Sequence, residues 1–281
     1  MSYPPRIKFF CRSFNKELYL LSRHLYEEAG FPCVRLTDQT ADGYFFTMLE
    51  DEECDIAINV DEDFFIADLD AVMHLVRRVE AEGWVNAGCS DAGPGVPRKG
   101  DASVTNPFFN VFNLREIRKQ WDASRLIPEL QKDSYRGIEP YYSFFHWMVR
   151  TFPGRTLYLE NQRHADTIST RLYSIGAEEH TEDIPADGGG VCLIGYHTWF
   201  ARLYKESFLT RLFEGNDRKD VDHHKRIDAV IDAAYADRKL RRPDFGVADR
   251  IGFRLDECKR WCIKVPQRVA GWPRKLKRKF Q

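Results

Sequence analysis

The first ninety residues alternate short apolar runs with stretches where apolar positions recur every three or four residues. Residues 7–11 (IKFFC) and 33–36 (CVRL) predict strands. Between them Asn15 can cap a helix reaching residue 28, with Leu18, Leu21 and Leu25 on one face and Gly30 as its stop. Residues 41–50 pattern as a short helix and 54–60 (CDIAINV) as a third strand. Asp68 then caps a helix to residue 82 that buries Leu69, Val72, Leu75, Val76 and Val79, and residues 84–89 return as a strand. Strands alternating with helices at this spacing predict an α/β fold around a mostly parallel sheet.

Beyond this, residues 91–105 (DAGPGVPRKGDASVT) read as a loop and 106–114 (NPFFNVFNL) as a dense apolar strand, with a helix starting near Leu114. Pro140 suits the first turn of a helix whose buried stripe is Tyr141, Phe144, Phe145, Met148 and Val149. Strands are expected at 157–159 and 191–196, and helices over 197–213 and 217–236. The DGGG run at 187–190 is a flexible loop or a lid over bound substrate. No internal repeat is visible. The organisation expected is one domain over 1–215 and a helical extension over 216–281.

Composition narrows the class. In 281 residues, 43% apolar and 30% charged, no run approaches the roughly 18 apolar residues that cross a bilayer. The start, MSYPPRIKFFCRSF, has no apolar signal-peptide core, and the seven scattered cysteines suit free thiols in a reducing cytoplasm. Cys258 and Cys262 have helical spacing but no second pair to complete a zinc site. The net charge of −1 hides an asymmetry: residues 258–281 carry nine Lys/Arg and no acid, leaving the rest at −10. Trp261, Ile263, Trp272, Leu276 and Phe280 interleave with these cations, a mixture suited to an anionic membrane surface. The acidic body argues against general nucleic-acid binding.

The candidate chemistry lies in INVDEDFFI, residues 58–66. Three adjacent carboxylates behind an apolar strand make either a solvated turn or a metal site. Asp61 and Asp63, two apart in extended chain, point the same way, toward the crevice at the carboxyl ends of the strands. Two hard oxygen donors there suit Mg²⁺ or Mn²⁺ on a diphosphate. Glu62 points the other way, toward solvent or a layer behind the metal.

Strand, helix, strand ending at Asp38, then IAINVDEDFF, resembles the nucleotide-sugar-dependent glycosyltransferases of the GT-A type, over roughly residues 6–205. NPFFNVFNL resembles the strand that follows the metal motif and frames the acceptor site. GIEPYY places Glu139 at a helix start, where the family carries its catalytic base, and Pro140 stands where a second acid is usual. HTWFARLY places His197 where many members keep a histidine on the metal or diphosphate.

The resemblance implies a Rossmann-type three-layer sandwich and a nucleoside-diphosphate sugar as donor. It puts Mn²⁺ or Mg²⁺ on Asp61, Asp63 and His197, with Arg12, Asp38, Asp61 and His197 toward the nucleotide. Glu139 would take the acceptor hydroxyl's proton, with inversion at the sugar carbon. Together with the basic tail it points to a lipid-linked glycan acceptor, as in bacterial surface polysaccharide, at the cytoplasmic face of a membrane. Each residue has a plainer reading. Glu139 can simply favour a helix dipole, His197 can pack at a helix start, Asp38 can make an Asx-turn, and Arg12 can lie in solvent. His164, His180, His223 and His224 read as surface residues. Two other functions compete. One is a phosphatase of the haloacid dehalogenase type using Asp61 and Asp63, although its motif wants Thr or Val where Phe65 stands. The other is a non-enzymatic peripheral membrane adaptor.

Overall fold

The computed structural model describes residues 4–37, 43–92, 96, 100–134, 139, 141–163, 168–174, 192–199, 201, 204–205 and 221–262. The chain begins with β1 (Ile7–Arg12), α1 (Lys16–His24), β2 (Cys33–Leu36), α2 (Gly43–Glu50), β3 (Ile56–Asp61), β4 (Phe64–Ile66), α3 (Leu69–Ala81) and β5 (Asn86–Ser90). It continues with β6 (Thr105–Asn113), α4 (Leu114–Arg118), α5 (Ala123–Ser134), α6 (Tyr142–Thr151), β7 (Thr156–Arg163), β8 (Ser169–Ser174), β9 (Cys192–Thr198) and a helix over Val221–Asp237. A further helix covers residues 247–262.

The helix starts form for local reasons. Asn15 and Asp68 sit in extended conformation and accept from the third amide onward, Leu18 N–H and Ala71 N–H, satisfying donors that the first turn leaves open. α1 stops at His24, short of the expected residue 28, and a separate 3₁₀ turn at Glu27–Ala29 ends in Gly30 at φ 73°.

The described strands form one nine-stranded sheet in the order β2-β1-β3-β6-β5-β7-β8-β9-β4. Alternation along the strands makes two cores. Phe9, Ile56, Ile58, Val60 and Val111 face α3, which contributes Val72, Leu75, Val76 and Val79. Phe10, Ala57 and Phe112 face the other way, against α2 and α6 through Phe45, Phe144 and Phe145. Each fully buried side chain of this size contributes roughly 1.5–3 kcal/mol. In the α6 stripe the structure buries Trp147, while Val149 is only half-buried. A third cluster joins α1 (Leu18, Leu21) and its C-cap Leu25 to Phe65, Tyr196 and the Val221–Asp237 helix through Ile227 and Ile231.

The α/β class holds, but the sheet is mixed rather than mostly parallel. β1 runs parallel to β2 and β3, and β5 to β7, while β3–β6, β5–β6, β7–β8, β8–β9 and β4–β9 are antiparallel. The reason lies in the connections. No described helix separates β5 from β6, and a link without a crossover element returns the chain antiparallel. Among the described residues no helix is long and apolar enough to cross a membrane.

Candidate functional site

β1 and β3 are parallel neighbours, and their register sets Arg12 beside Asp61 at the carboxyl ends of both strands. Arg12 Nη2 donates to Asp61 Oδ2 at 2.6 Å, and the guanidinium lies 5.1 Å from the Tyr44 ring centroid. Arg12 is therefore a partly buried partner of the acidic motif, not a solvent residue. Asp61 itself is 7% exposed. Its carboxyl is pushed up to about 6 by burial, against the opposing pull of Arg12, with Asp63 adding to the rise and His197 countering it. Its second oxygen, Oδ1, is enclosed and has no hydrogen-bond partner among the described residues.

After Asp61 the chain turns at once into β4, which pairs antiparallel with β9 so that Phe64 stands opposite His197. The Asp63 carbonyl accepts from Thr198 N–H at 2.9 Å and from Thr198 Oγ1 at 3.1 Å. This clasp brings His197 Nε2 to 3.4 Å from Asp63 Oδ1. Gly195 makes the approach possible, because a Cβ there would lie 2.4 Å from the Phe65 carbonyl. The imidazole is buried, stacked on Phe108 at 4.1 Å and meeting the edge of Trp199 at 4.4 Å. Its Nδ1 has no hydrogen-bond partner among the described residues. His197 thus does not start a helix over 197–213: it lies in β9, and residues 206–213 are outside the described ones. The short β4 strand recruits it as an edge partner, overriding the helical spacing of the apolar residues.

Glu62 differs from the solvent or outer-layer position expected of it. It is 3% exposed, and its Oε2 accepts the amides of Phe14 and Asn15 at 2.7 and 2.6 Å. It ties the turn after β3 to the turn after β1, so the middle acid of the motif supports the two on either side. Asp38, expected near the nucleotide, lies outside the described residues, as do His164, His180 and the DGGG run at 187–190. His223 is buried rather than exposed, while His224 is half-buried.

A second polar cluster at the same end of the sheet carried no sequence signal beyond an acid at a strand's end. Asp91, just after β5, is fully buried and accepts from Asn106 Nδ2 and Tyr142 Oη, each at 2.5 Å, and from Tyr141 Oη at 3.4 Å. Gly100 packs so closely here that a Cβ would fall 1.8 Å from the Asp91 carbonyl. The cluster pins the start of α6, where Tyr142 N–H bonds the Glu139 carbonyl at 3.1 Å. Glu139 is half-buried at that turn.

The donor set can be tested for a divalent cation. No three His, Cys, Asp or Glu side chains converge as a ready-made metal cage among the described residues. Mg²⁺ or Mn²⁺ on a diphosphate needs no such cage, since one or two carboxylates suffice when phosphates and water fill the rest. The enclosed, unpartnered Oδ1 of Asp61 is a hard donor of that kind, with Asp63 two residues on. The residues present fit the ion.

No protein-family profile matches the chain, and no curated protein matches it significantly. Among solved structures, A197 from STIV is 17% identical with a TM-score of 0.39, over 61% of this chain and 86% of that one. A glycosyltransferase involved in glycosylation of the major capsid of PBCV-1 is 13% identical at 0.38, over 55% and 81%. The glycosyltransferase GlyE of Streptococcus pneumoniae TIGR4 is 12% identical at 0.36, over 56% and 46%. At such scores these likenesses decide neither family nor activity, and the function has to be read from the chain's own side chains.

Proposed function

We propose that the chain is a GT-A-type glycosyltransferase that moves a sugar from a nucleoside diphosphate to a hydroxyl acceptor, with Mn²⁺ or Mg²⁺ held by Asp61 and Asp63. The observation that carries this is the enclosed, unpartnered Oδ1 of Asp61 at the carboxyl end of β3, flanked by Arg12, Asp63 and His197. A cation there would neutralise charge on the departing diphosphate. Arg12 holds Asp61 in place and adds positive charge beside the phosphates. His197, locked between Phe108 and Trp199, orients Asp63 or meets a phosphate oxygen. Asp38, on the segment after β2, is assigned to the nucleobase or ribose. Glu139, at the start of α6, takes the proton of the attacking hydroxyl, which implies inversion.

The membrane partner belongs to the same proposal. Residues 258–281 would hold the protein peripherally on an anionic surface, at the inner face of a cell membrane, where a lipid-linked glycan can serve as acceptor. The phosphatase alternative fares worse on one point. Its motif wants Thr or Val two residues after the second acid, where this chain has Phe65, fully buried in β4.

The test is thermal stabilisation by UDP, GDP and TDP with and without Mn²⁺. Stabilisation that needs the metal and disappears in Asp63→Ala is expected. No response to any nucleotide with metal overturns the proposal.

A further inference from the structure

Among the described residues the large apolar side chains that stand strongly exposed are Val247, Ile251 and Leu255, at 76%, 56% and 59%. They are not scattered. All three lie on the helix at 247–262, spaced four apart, so they form one stripe along it. Cys258 and Cys262, both exposed, continue the same stripe.

The helix is not a loose appendage. Asp256 receives a bidentate pair from Arg35 of β2 at 3.0 and 3.1 Å, and Arg254 donates to the Lys205 carbonyl at 2.8 Å. Glu257, Arg260 and Trp261 are buried on its inner side. These contacts fix the rotation of the helix and hold the apolar stripe outward. A loosely held helix would turn such a stripe inward, because hiding three large aliphatic side chains is favourable by several kcal/mol.

The surroundings of the stripe say what it meets. Exposed Arg250 and Arg254 flank one side and exposed Lys259 the other. Beside Arg250 and Arg254 opens a hollow of about 500 Å³, where Lys16, Lys205, Arg250, Arg254 and Arg260 outnumber Glu17 and Glu257. An apolar stripe flanked by two arginines and a lysine complements a surface whose charge is negative and whose interior is hydrocarbon.

We propose that the helix at 247–262 is an interfacial helix that seats this folded face on an anionic bilayer, with Val247, Ile251 and Leu255 entering the headgroup boundary. Arg250 and Lys259 meet lipid phosphates, and the basic hollow lies against the headgroup layer. The inference shares its lipid chemistry with the membrane partner proposed above but needs neither sugar transfer nor the 263–281 segment.

The test is co-sedimentation of the full chain with phosphatidylcholine vesicles, with and without phosphatidylglycerol. The wild type should bind the anionic vesicles and release as salt rises. The triple substitution Val247→Asp, Ile251→Asp, Leu255→Asp should weaken binding about tenfold or more. Its circular dichroism and melting temperature should stay unchanged, because these side chains touch solvent. A second full-length variant, Lys275→Glu, Lys277→Glu, Arg278→Glu, Lys279→Glu, should retain part of the binding. If the triple variant binds as the wild type does and the tail variant does not bind, the tail alone is the anchor. That result overturns the helix inference and leaves the proposed function standing. A wild type that is dimeric without vesicles and ignores them, with a monomeric triple variant, overturns it too, making the stripe a contact between copies.

Discussion

Arg12 and Asp61 are register partners on adjacent parallel strands, joined at 2.6 Å in a site that leaves the second oxygen of Asp61 enclosed and, among the described residues, unpartnered. Removing the cation from such a pair leaves a buried carboxylate beside another acid. Arg12→Ala should therefore destabilise the chain by about 3 kcal/mol in urea unfolding. Millimolar Mn²⁺ should return part of that loss by supplying the missing charge. Equal destabilisation with and without Mn²⁺ would mean that no cation reaches Asp61.

The raised Asp61 carboxyl gives two opposite pH slopes. Because its folded value stands at about 6, ionising it costs the folded chain. That cost is absent below the ordinary carboxylate value of about 4 and complete above about 6. This group therefore adds stability to the metal-free protein as pH falls from neutrality. Mn²⁺ bound as proposed would compete with the same proton, so its affinity should fall by up to about tenfold per pH unit below 6. Melting curves across this range should show the Mn²⁺ increment vanishing on the acid side, and an increment independent of pH would remove Asp61 from the ligand set.

Glu62 should behave as structure and not as ligand. Its two charged hydrogen bonds to backbone amides make Glu62→Ala cost about 2–3 kcal/mol. Isothermal titration below the melting point should give a Mn²⁺ affinity like that of the wild type. Asp63→Ala should show the reverse, with little lost stability and lost metal response.

Gly195→Ala probes how His197 is delivered. The added methyl would press on the Phe65 carbonyl at 2.4 Å and force β4 from β9. A loss of about 2 kcal/mol or more is expected. It should come with weaker nucleotide stabilisation, although residue 195 itself has no side chain to offer a ligand.

Glu139→Gln should leave nucleotide and Mn²⁺ stabilisation intact and reduce glycosyl transfer about 10²–10⁴-fold. Unreduced transfer would return Glu139 to the role of a helix-start residue.

Much of the frame was legible because local chemistry and burial agree. The caps at Asn15 and Asp68 and the α3 stripe act within a few residues, so spacing reports them directly. Asp61 and Asp63 were visible because an apolar strand ending in acids is itself a local pattern. What escaped depends on partners far along the chain. β4 is only three residues long and exists because β9 pairs with it. The role of Glu62 needs the amides of Phe14 and Asn15, and that of Asp91 needs Tyr142. α5 was missed because Pro128 sits inside it and blurs the helical signal. The mixed sheet was latent in the helix-free reading of 91–105, which leaves no crossover element between β5 and β6.

The Asp63–Thr198 clasp closes a loop of 135 positions. Contacts of such range cost chain entropy before they return any energy, so they form late and slowly. A nascent chain released at the end of β7 would already possess both aspartates and their arginine, yet would lack the strand that carries the histidine. On the proposed function, nucleotide and metal response should therefore appear as the last event of refolding, after helical signal has recovered, making ligand response a sharper gauge of completed folding than secondary structure.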